Sequence, residues 1–365
     1  MSDAYEASGV DYDILDAGKR LSLSQAAATS KLLLDHGGRA HDASRGEPAF
    51  VFSFDNNTFA FVLECLGTKS VIARRFEEET GEQRYAGIAY DTVAAIVNDL
   101  CCVGALPLVV NAYFSTGSSK WYEKEGRLSS LVDGWRRACE DAGATWGGGE
   151  SPTLSGLVAE DDIELAGSAV GYVPDGREPI LGAELEAGDD IVLVASSGLH
   201  ANGASLVRAI ADDLPDGLRT ALPSGRSFGD ATLDPTANYV PLVRTLLSSD
   251  LTVTYLSHIT GHGIRKVMRA ARPFVYRIEA LPEIPEVLRF VTERSGMEQR
   301  DAYGTLNMGA GYAVFCRNGQ GPAVVDVAAS VGLKGLVAGR VQSGDRSVVL
   351  EPLGVTYSSD ELSLR

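Results

Sequence analysis

ECLGTKSVIARR, residues 64–75, follows the apolar run FAFVLE (59–64) and breaks it at Gly67-Thr68-Lys69 before apolar residues resume. Glycine lets backbone approach a ligand closely, threonine offers an oxygen, and lysine supplies a compact charge, a combination suited to a phosphate. The same tripeptide also makes an ordinary turn with a solvated lysine, so by itself it leaves both readings open.

Working outward, AFVFSF and TFAFVLE read as a β-hairpin turning at Asp55-Asn56-Asn57, with the GTK turn closing its second strand. Upstream, LSLSQAAATSKLLLD (21–35) is polar and partly helical, and HGGRAHDASRGEP is a loop. Downstream, YDTVAAIVNDLCCVGA (90–105) carries small and branched residues at helical spacing, PLVVNAYFS reads as a buried strand, and GRLSSLVDGWRRACEDAGA as a helix. WGGGES (146–151) reads as a glycine turn, and AEDDIELAGSAVGYV as a strand running from the sheet edge inward. Proline, glycine and charge cluster at PDGREPILGAELEAGDD, which places a domain boundary there. Beyond it come a strand, DIVLVASSG, a helix, LHANGASLVRAIADDL, and a second strand-loop-helix at YLSHITGHGIRKVMRAA. Hairpins interrupt the βα alternation, which predicts an α+β class rather than a doubly wound sheet. No GxGxxG or Walker loop is present.

A chain of 365 residues suits two domains. With 45% hydrophobic and 22% charged residues it has a globular composition. The 49 acidic against 32 basic residues give a net charge of −17, which argues against nucleic acid or an anionic membrane as partner. Five cysteines, without paired CxxC spacing, point to reduced thiols in the cytoplasm rather than to a disulfide framework or a zinc ribbon. The acidic start MSDAYEASGVDYD lacks an apolar signal core, and Pro107 and Asn111 interrupt the longest apolar stretch.

Glu64, Asp91, Asp99 and Glu150 each border an apolar element. Buried carboxylates need cations. Asp91 and Asp99, eight apart, fall on nearly one helix face and fit magnesium; equally, Asp91 caps the helix and Asp99 ends it on the surface. The glycines before Glu150 can turn amides toward an anion or simply form a flexible turn. SSGLHANG (196–203) concentrates hydroxyls, an imidazole and an amide at a strand-to-helix junction. HITGHGIRK (258–266) reads either as an anion cradle at a helix start, with Arg265 and Lys266 behind, or as a capped surface helix.

GTK, the acidic helix ending VNDL with GALPL after it, GGE, SSGLHANGASLVR, HITGHG and GTLNMGAG occur in one order that resembles the phosphoribosylformylglycinamidine cyclo-ligase (aminoimidazole ribonucleotide synthetase) family, from about Tyr5 to residue 316. The resemblance implies a two-domain α+β fold whose N-terminal sheets join across a homodimer. It implies an ATP/metal-binding and dimerisation domain over 1–175 and an α+β domain over 176–365. The implied reaction uses ATP and magnesium to close the imidazole ring of formylglycinamidine ribonucleotide, releasing ADP and phosphate. Carried over by motif, Glu64, Gly67, Thr68, Lys69 and Asn98 would bind the nucleotide, and Glu64, Asp91 and Asp99 the metal. Asp99, Glu150 and His200 would be catalytic. Ser196, Ser197, Asn202, Gly203, Thr260, Gly261, His262, Gly263 and Asn307 would line the phosphorylated ribonucleotide.

The chain also departs from the family's motifs. ECLGTK stands for DGVGTK, so Glu64 and Cys65 replace aspartate and glycine. GGESPTLSG stands for GGETAEMPG, with Thr153 at the second glutamate, and TGHG stands for TGGG, with His262 in the loop. The alternatives to the cyclo-ligase are a paralogue phosphorylating or activating another small substrate and a non-catalytic nucleotide-binding scaffold.

Overall fold

In the computed structural model, which describes residues 12–362, two sheets carry the chain. Tyr5 and the acidic start, where the resemblance begins, lie outside the described residues. Helix α1 (Tyr12–Ala28) runs into a 3-10 segment, Ser30–His36. Strand β1 (Gly38–Ala40) then pairs with the hairpin of β2 (Phe50–Phe54) and β3 (Asn57–Cys65). The hairpin turns at Asp55-Asn56, with Asp55 at φ 50° and Phe54 paired to Asn57. Beyond the GTK turn the chain becomes α2 (Lys69–Thr80), with Lys69 as its first residue.

Helix α3 (Tyr85–Cys101) begins before the expected span, so Asp91 lies inside it rather than capping it. Asp99 is buried in its last turn and not at the surface. After β4 (Leu106–Thr116), α4 (Arg127–Ala142) lies tightly on α3, because a Cβ on Gly134 would stand 2.1 Å from the Ala86 carbonyl oxygen. TWGGGE corrects the expected turn: it is an edge strand, β5 (Thr145–Glu150), parallel to β4. The glycines serve the pairing, since a Cβ on Gly149 would lie 1.9 Å from the Ala112 carbonyl oxygen. With β6 (Ile163–Tyr172) the sheet order is β1-β2-β3-β6-β4-β5, so the acidic-entry segment is a central strand.

This sheet has one covered face and one open face. Val51, Ala60, Val62, Ala169 and Val110 are buried in the core. On the opposite face, register aligns Phe50, Phe61, Val170 and Val109 in one row and Phe52, Phe59 and Tyr172 in another. Phe61, Leu63, Val109 and Tyr172 are exposed there.

The second sheet is built from β7 (Asp190–Ala195), β8 (Val253–His258), β9 (Phe274–Ile278), β10 (Ala310–Cys316), β11 (Gly335–Ser343), β12 (Ser347–Leu350) and β13 (Val355–Ser358) in the order β13-β12-β9-β11-β7-β10-β8. Every residue of β10 is buried, matching its unbroken apolar run. Helices α5 (Ala204–Asp213), α6 (Phe228–Thr232), α7 (Val240–Leu247), α8 (Glu286–Ser295), α9 (Gln299–Thr305) and α10 (Gly321–Ser330) complete this half. The expected helix behind TGHG is a six-residue 3-10 segment, Gly263–Met268, too short for a helix dipole to hold an anion. Gly263 is required by packing instead: at φ 52°, a Cβ there would lie 2.1 Å from the Tyr303 carbonyl oxygen.

Candidate active site between the two halves

One stripe of α3 faces the C-terminal half. Asp91, Ala95, Asn98 and Asp99 recur at the spacing of a single helical face. Asp91 pairs with the Lys69 ammonium at 2.6 Å, both side chains fully buried, and accepts from the Thr236 amide at 2.6 Å. Lys69 also donates to the Asp234 carbonyl. Asn98 accepts from the Tyr239 amide at 2.8 Å and donates to the Ala237 carbonyl at 2.9 Å. These contacts hold the 234–239 loop onto the N-terminal half, so Lys69, Asp91 and Asn98 face one another and that loop. None of the three lines the large cavity.

That cavity, about 730 Å3, lies beside Asp99. Glu64, Cys65 and Leu66 reach it from the end of β3, Ala95 and Asp99 from α3, Ala201 and Asn202 from the loop before α5, and His258, Thr260, Gly261, His262, Lys266 and Arg269 from the end of β8 onward. Its size suits a small-molecule ligand. His258 Nδ1 stands 2.6 Å from Asp99 Oδ1. Because an ionised carboxylate only accepts, Nδ1 is the donor. Nε2 of the same ring is buried without a hydrogen-bond partner among the described residues.

Charge inside the cavity is unevenly held. Burial pushes the Glu64 carboxyl up to about 8, aided by the neighbouring charge of Asp99, against the pull of Lys266 and Arg269. Burial also opposes ionisation of Asp99, yet the hydrogen bond and charge of His258, with Lys266 and Arg269 beyond, hold it down to about 2. Lys266 is drawn down to about 8 by burial and then by Arg269, against Asp99 and Glu64. The site therefore combines a fixed carboxylate, a carboxyl that titrates near neutrality and an ammonium still mostly charged at neutral pH, the mixture expected where protons or charge are moved.

The other expected residues are distributed around this centre. Asn202, Thr260, Gly261 and His262 line it with Glu64 and Asp99. His262 sits at φ 72°, a left-handed conformation uncommon for a residue with a side chain. His200 does not line the cavity: it is buried, its Nε2 accepts from the Ser197 amide at 3.2 Å, and burial pulls its pKa well below the usual value. Ser196 donates to Asn307 at 2.8 Å, Ser197 to the Pro235 carbonyl, and Asn307 to the Gly198 and Leu199 carbonyls. Ser196, Ser197, His200 and Asn307 thus form the frame that shapes the 196–203 loop. Gly203, at φ 98°, precedes α5 and admits the Leu306 side chain. Gly67, at φ 70°, and Thr68, whose hydroxyl lies 3.3 Å from that of Ser205, form the turn above α5.

Glu150 is separate. Register places it opposite Tyr113, and Tyr113, Ala166 and Cys65 continue the row, whereas Glu64 belongs to the row of Gly167 and Ala112. Strand alternation therefore puts Glu150 on the open face of the sheet, the reverse of Glu64. His258 and Arg269 were given no role by the sequence reading. A histidine ending an apolar strand, just before the Thr260-Gly261 turn, was the available signal for the first; for Arg269 there was none.

Two α+β halves meet over a cavity lined by carboxylates and cations, a shape and charge suited to a small charged molecule. The chain belongs to the AIR synthase related protein family: residues 46–173 match its N-terminal domain and residues 186–351 its C-terminal domain. Phosphoribosylformylglycinamidine cyclo-ligase of Alkaliphilus oremlandii is 31% identical over 363 residues, covering 96% of this chain and 100% of the relative. The homologous cyclo-ligase of Methanothermobacter thermautotrophicus is 31% identical, covering 84% of this chain and 86% of its own. Among solved structures, hydrogenase maturation protein HypE in complex with ATP shares the fold with a TM-score of 0.58 at 18% identity, over 82% of this chain and 83% of that one.

Proposed function

We propose that this chain closes the imidazole ring of formylglycinamidine ribonucleotide, using ATP and releasing ADP and phosphate. The observation that carries the reading is the identity to a cyclo-ligase across that relative's whole length. In the reaction the substrate's amide oxygen takes the γ-phosphoryl group, a substrate nitrogen attacks the activated carbon, the C–O bond breaks as phosphate leaves, and the nitrogen gives up a proton. The protein's task is positioning and electrostatics. Asp99, kept anionic by His258, offers a fixed acceptor, and Asn202 and Thr260 offer hydrogen bonds to the sugar or its substituents. The two halves, clamped by Asn98 and the Lys69–Asp91 pair, keep these groups in register.

Magnesium is tested against the donors present. Among the described residues no group of three or more His, Cys, Asp or Glu side chains is arranged to hold an ion. Glu64 and Asp99, however, crowd two carboxyl groups at one point, and magnesium takes one or two carboxylates with phosphate oxygens and waters. Those two residues fit it, and Asp91, engaged by Lys69 and Thr236, would act indirectly. Bound there, magnesium would neutralise phosphate charge. We further propose a homodimer packed on the open sheet face, where the exposed Phe61, Leu63, Val109 and Tyr172 would be covered and Glu150 would meet the second copy. The unpaired thiols suit the cytoplasm. No helix among the described residues is long and apolar enough to cross a membrane.

The test is product formation. Purified protein with formylglycinamidine ribonucleotide, ATP and magnesium is expected to yield aminoimidazole ribonucleotide by mass spectrometry, with one ADP per product. ADP release from a different small substrate, without ring closure on this one, would overturn the reading in favour of a paralogue.

A further inference from the structure

The cations of the cavity are only partly committed. Lys266 Nζ donates to Thr260 Oγ1 at 2.9 Å, which uses one of its three protons. Arg269 Nε donates to the Gly46 carbonyl at 2.9 Å and lies 3.8 Å from Glu47, while its two terminal nitrogens make no hydrogen bond among the described residues. Neither cation forms an ion pair with Glu64 or Asp99, although all four line the same cavity. Glu47 lines the same cavity and lies within ion-pair distance of Arg269, so what stays open toward the cavity is two protons of Lys266 and the terminal nitrogens of Arg269. Here two positive side chains, three residues apart on the short segment after Gly261, stand together on one wall of a strongly acidic protein.

We propose that Lys266 and Arg269 are the receptor for a phosphate monoester, the ribose 5-phosphate end of the substrate; this rests on the ring-closing function above. Two cations match the charge of a monoester, close to two negative charges at neutral pH. Side chains rather than backbone hold it, because the Gly263 amide is already bonded to the Thr260 carbonyl and the 3-10 segment behind presents no helix terminus. Thr260, whose hydroxyl orients Lys266, sets the ammonium against the Arg269 fork.

The experiment is calorimetric titration of the full chain with ribose 5-phosphate and, separately, with magnesium ATP. Lys266→Met and Arg269→Gln are each expected to weaken ribose 5-phosphate by roughly 10- to 100-fold, the range of a charge-assisted hydrogen bond, and to leave ATP unchanged. Lys266→Arg is expected to retain most of the affinity. Unchanged ribose 5-phosphate binding in Arg269→Gln, which sits at the less buried position, would overturn the receptor even if Lys266→Met failed to fold. Equal loss of ATP would reassign the wall to the nucleotide and overturn it too. The two readings fail separately: phosphate binding that depends on Lys266 in a protein making no aminoimidazole product leaves the receptor standing, whereas normal turnover with unchanged KM in Lys266→Met removes the receptor and leaves the ring closure.

Discussion

Replacing Lys69 with methionine tests whether the GTK lysine clamps the fold. Its ammonium lies 2.6 Å from Asp91, both side chains are fully buried, and Asp91 also holds the Thr236 amide of the opposite half. Lys69→Met would strand the Asp91 carboxylate, and removing one partner of a buried pair costs ~3–5 kcal/mol. At the few degrees per kcal/mol usual for a unit of this size, the melting temperature should fall by roughly 6–20 °C. The double variant Lys69→Met with Asp91→Asn leaves no buried charge and keeps an oxygen for Thr236, so it should regain most of that loss. Differential scanning calorimetry of the wild type, single and double variants gives the comparison. A single variant that melts with the wild type, or a double variant no better than the single, would refute the reasoning.

Glu64 and Asp99 provide a pH prediction for the metal-free protein. With its pKa raised to about 8, native Glu64 keeps a proton that the unfolded chain releases from its ordinary range upward, so stability falls as pH rises from there through about 8, and Glu64→Gln flattens that slope in melting curves. In Asp99→Asn, carbon NMR should find Glu64 titrating lower yet still above the usual carboxylate range, because burial, the larger cause, remains; an unmoved Glu64 would mean the two groups do not interact. Leu63→Arg, at the centre of the open apolar face, is expected to give monomers by light scattering where the wild type is dimeric, and a monomeric wild type would remove the proposed interface. Gly149→Ala should unpair β5 from β4, read as faster amide exchange at 145–150, because its Cβ would stand 1.9 Å from the Ala112 carbonyl oxygen.

Much of the architecture was legible in local pattern. The hairpin about Asp55-Asn56, the helical spacing of α3, the buried run of β7 and the strand-to-helix junction at 196–203 all follow from side-chain period and turn chemistry, which act over a few residues. The order of the motifs alone points to the family. What a stripe or a glycine run faces was another matter. Asp91, Asn98 and Asp99 share one face of α3 whether that face meets metal, solvent or a second domain; only the folded chain set Asp91 against Lys69, Asn98 against the 234–239 loop and Asp99 against His258. Three glycines before Glu150 fit a loop as well as an edge strand, and close approach to Ala112 decided for the strand. Whether Glu64 and Glu150 act together depends on strand parity across three neighbours, since one residue of register turns a side chain to the other face of the sheet. Lys266 and Arg269 share a cavity with Glu64 of β3 and Asp99 of α3, far earlier in the chain, only because the two halves close over it. Composition and spacing determine which elements form; long-range packing, which no local window contains, determines which charges come to share a site.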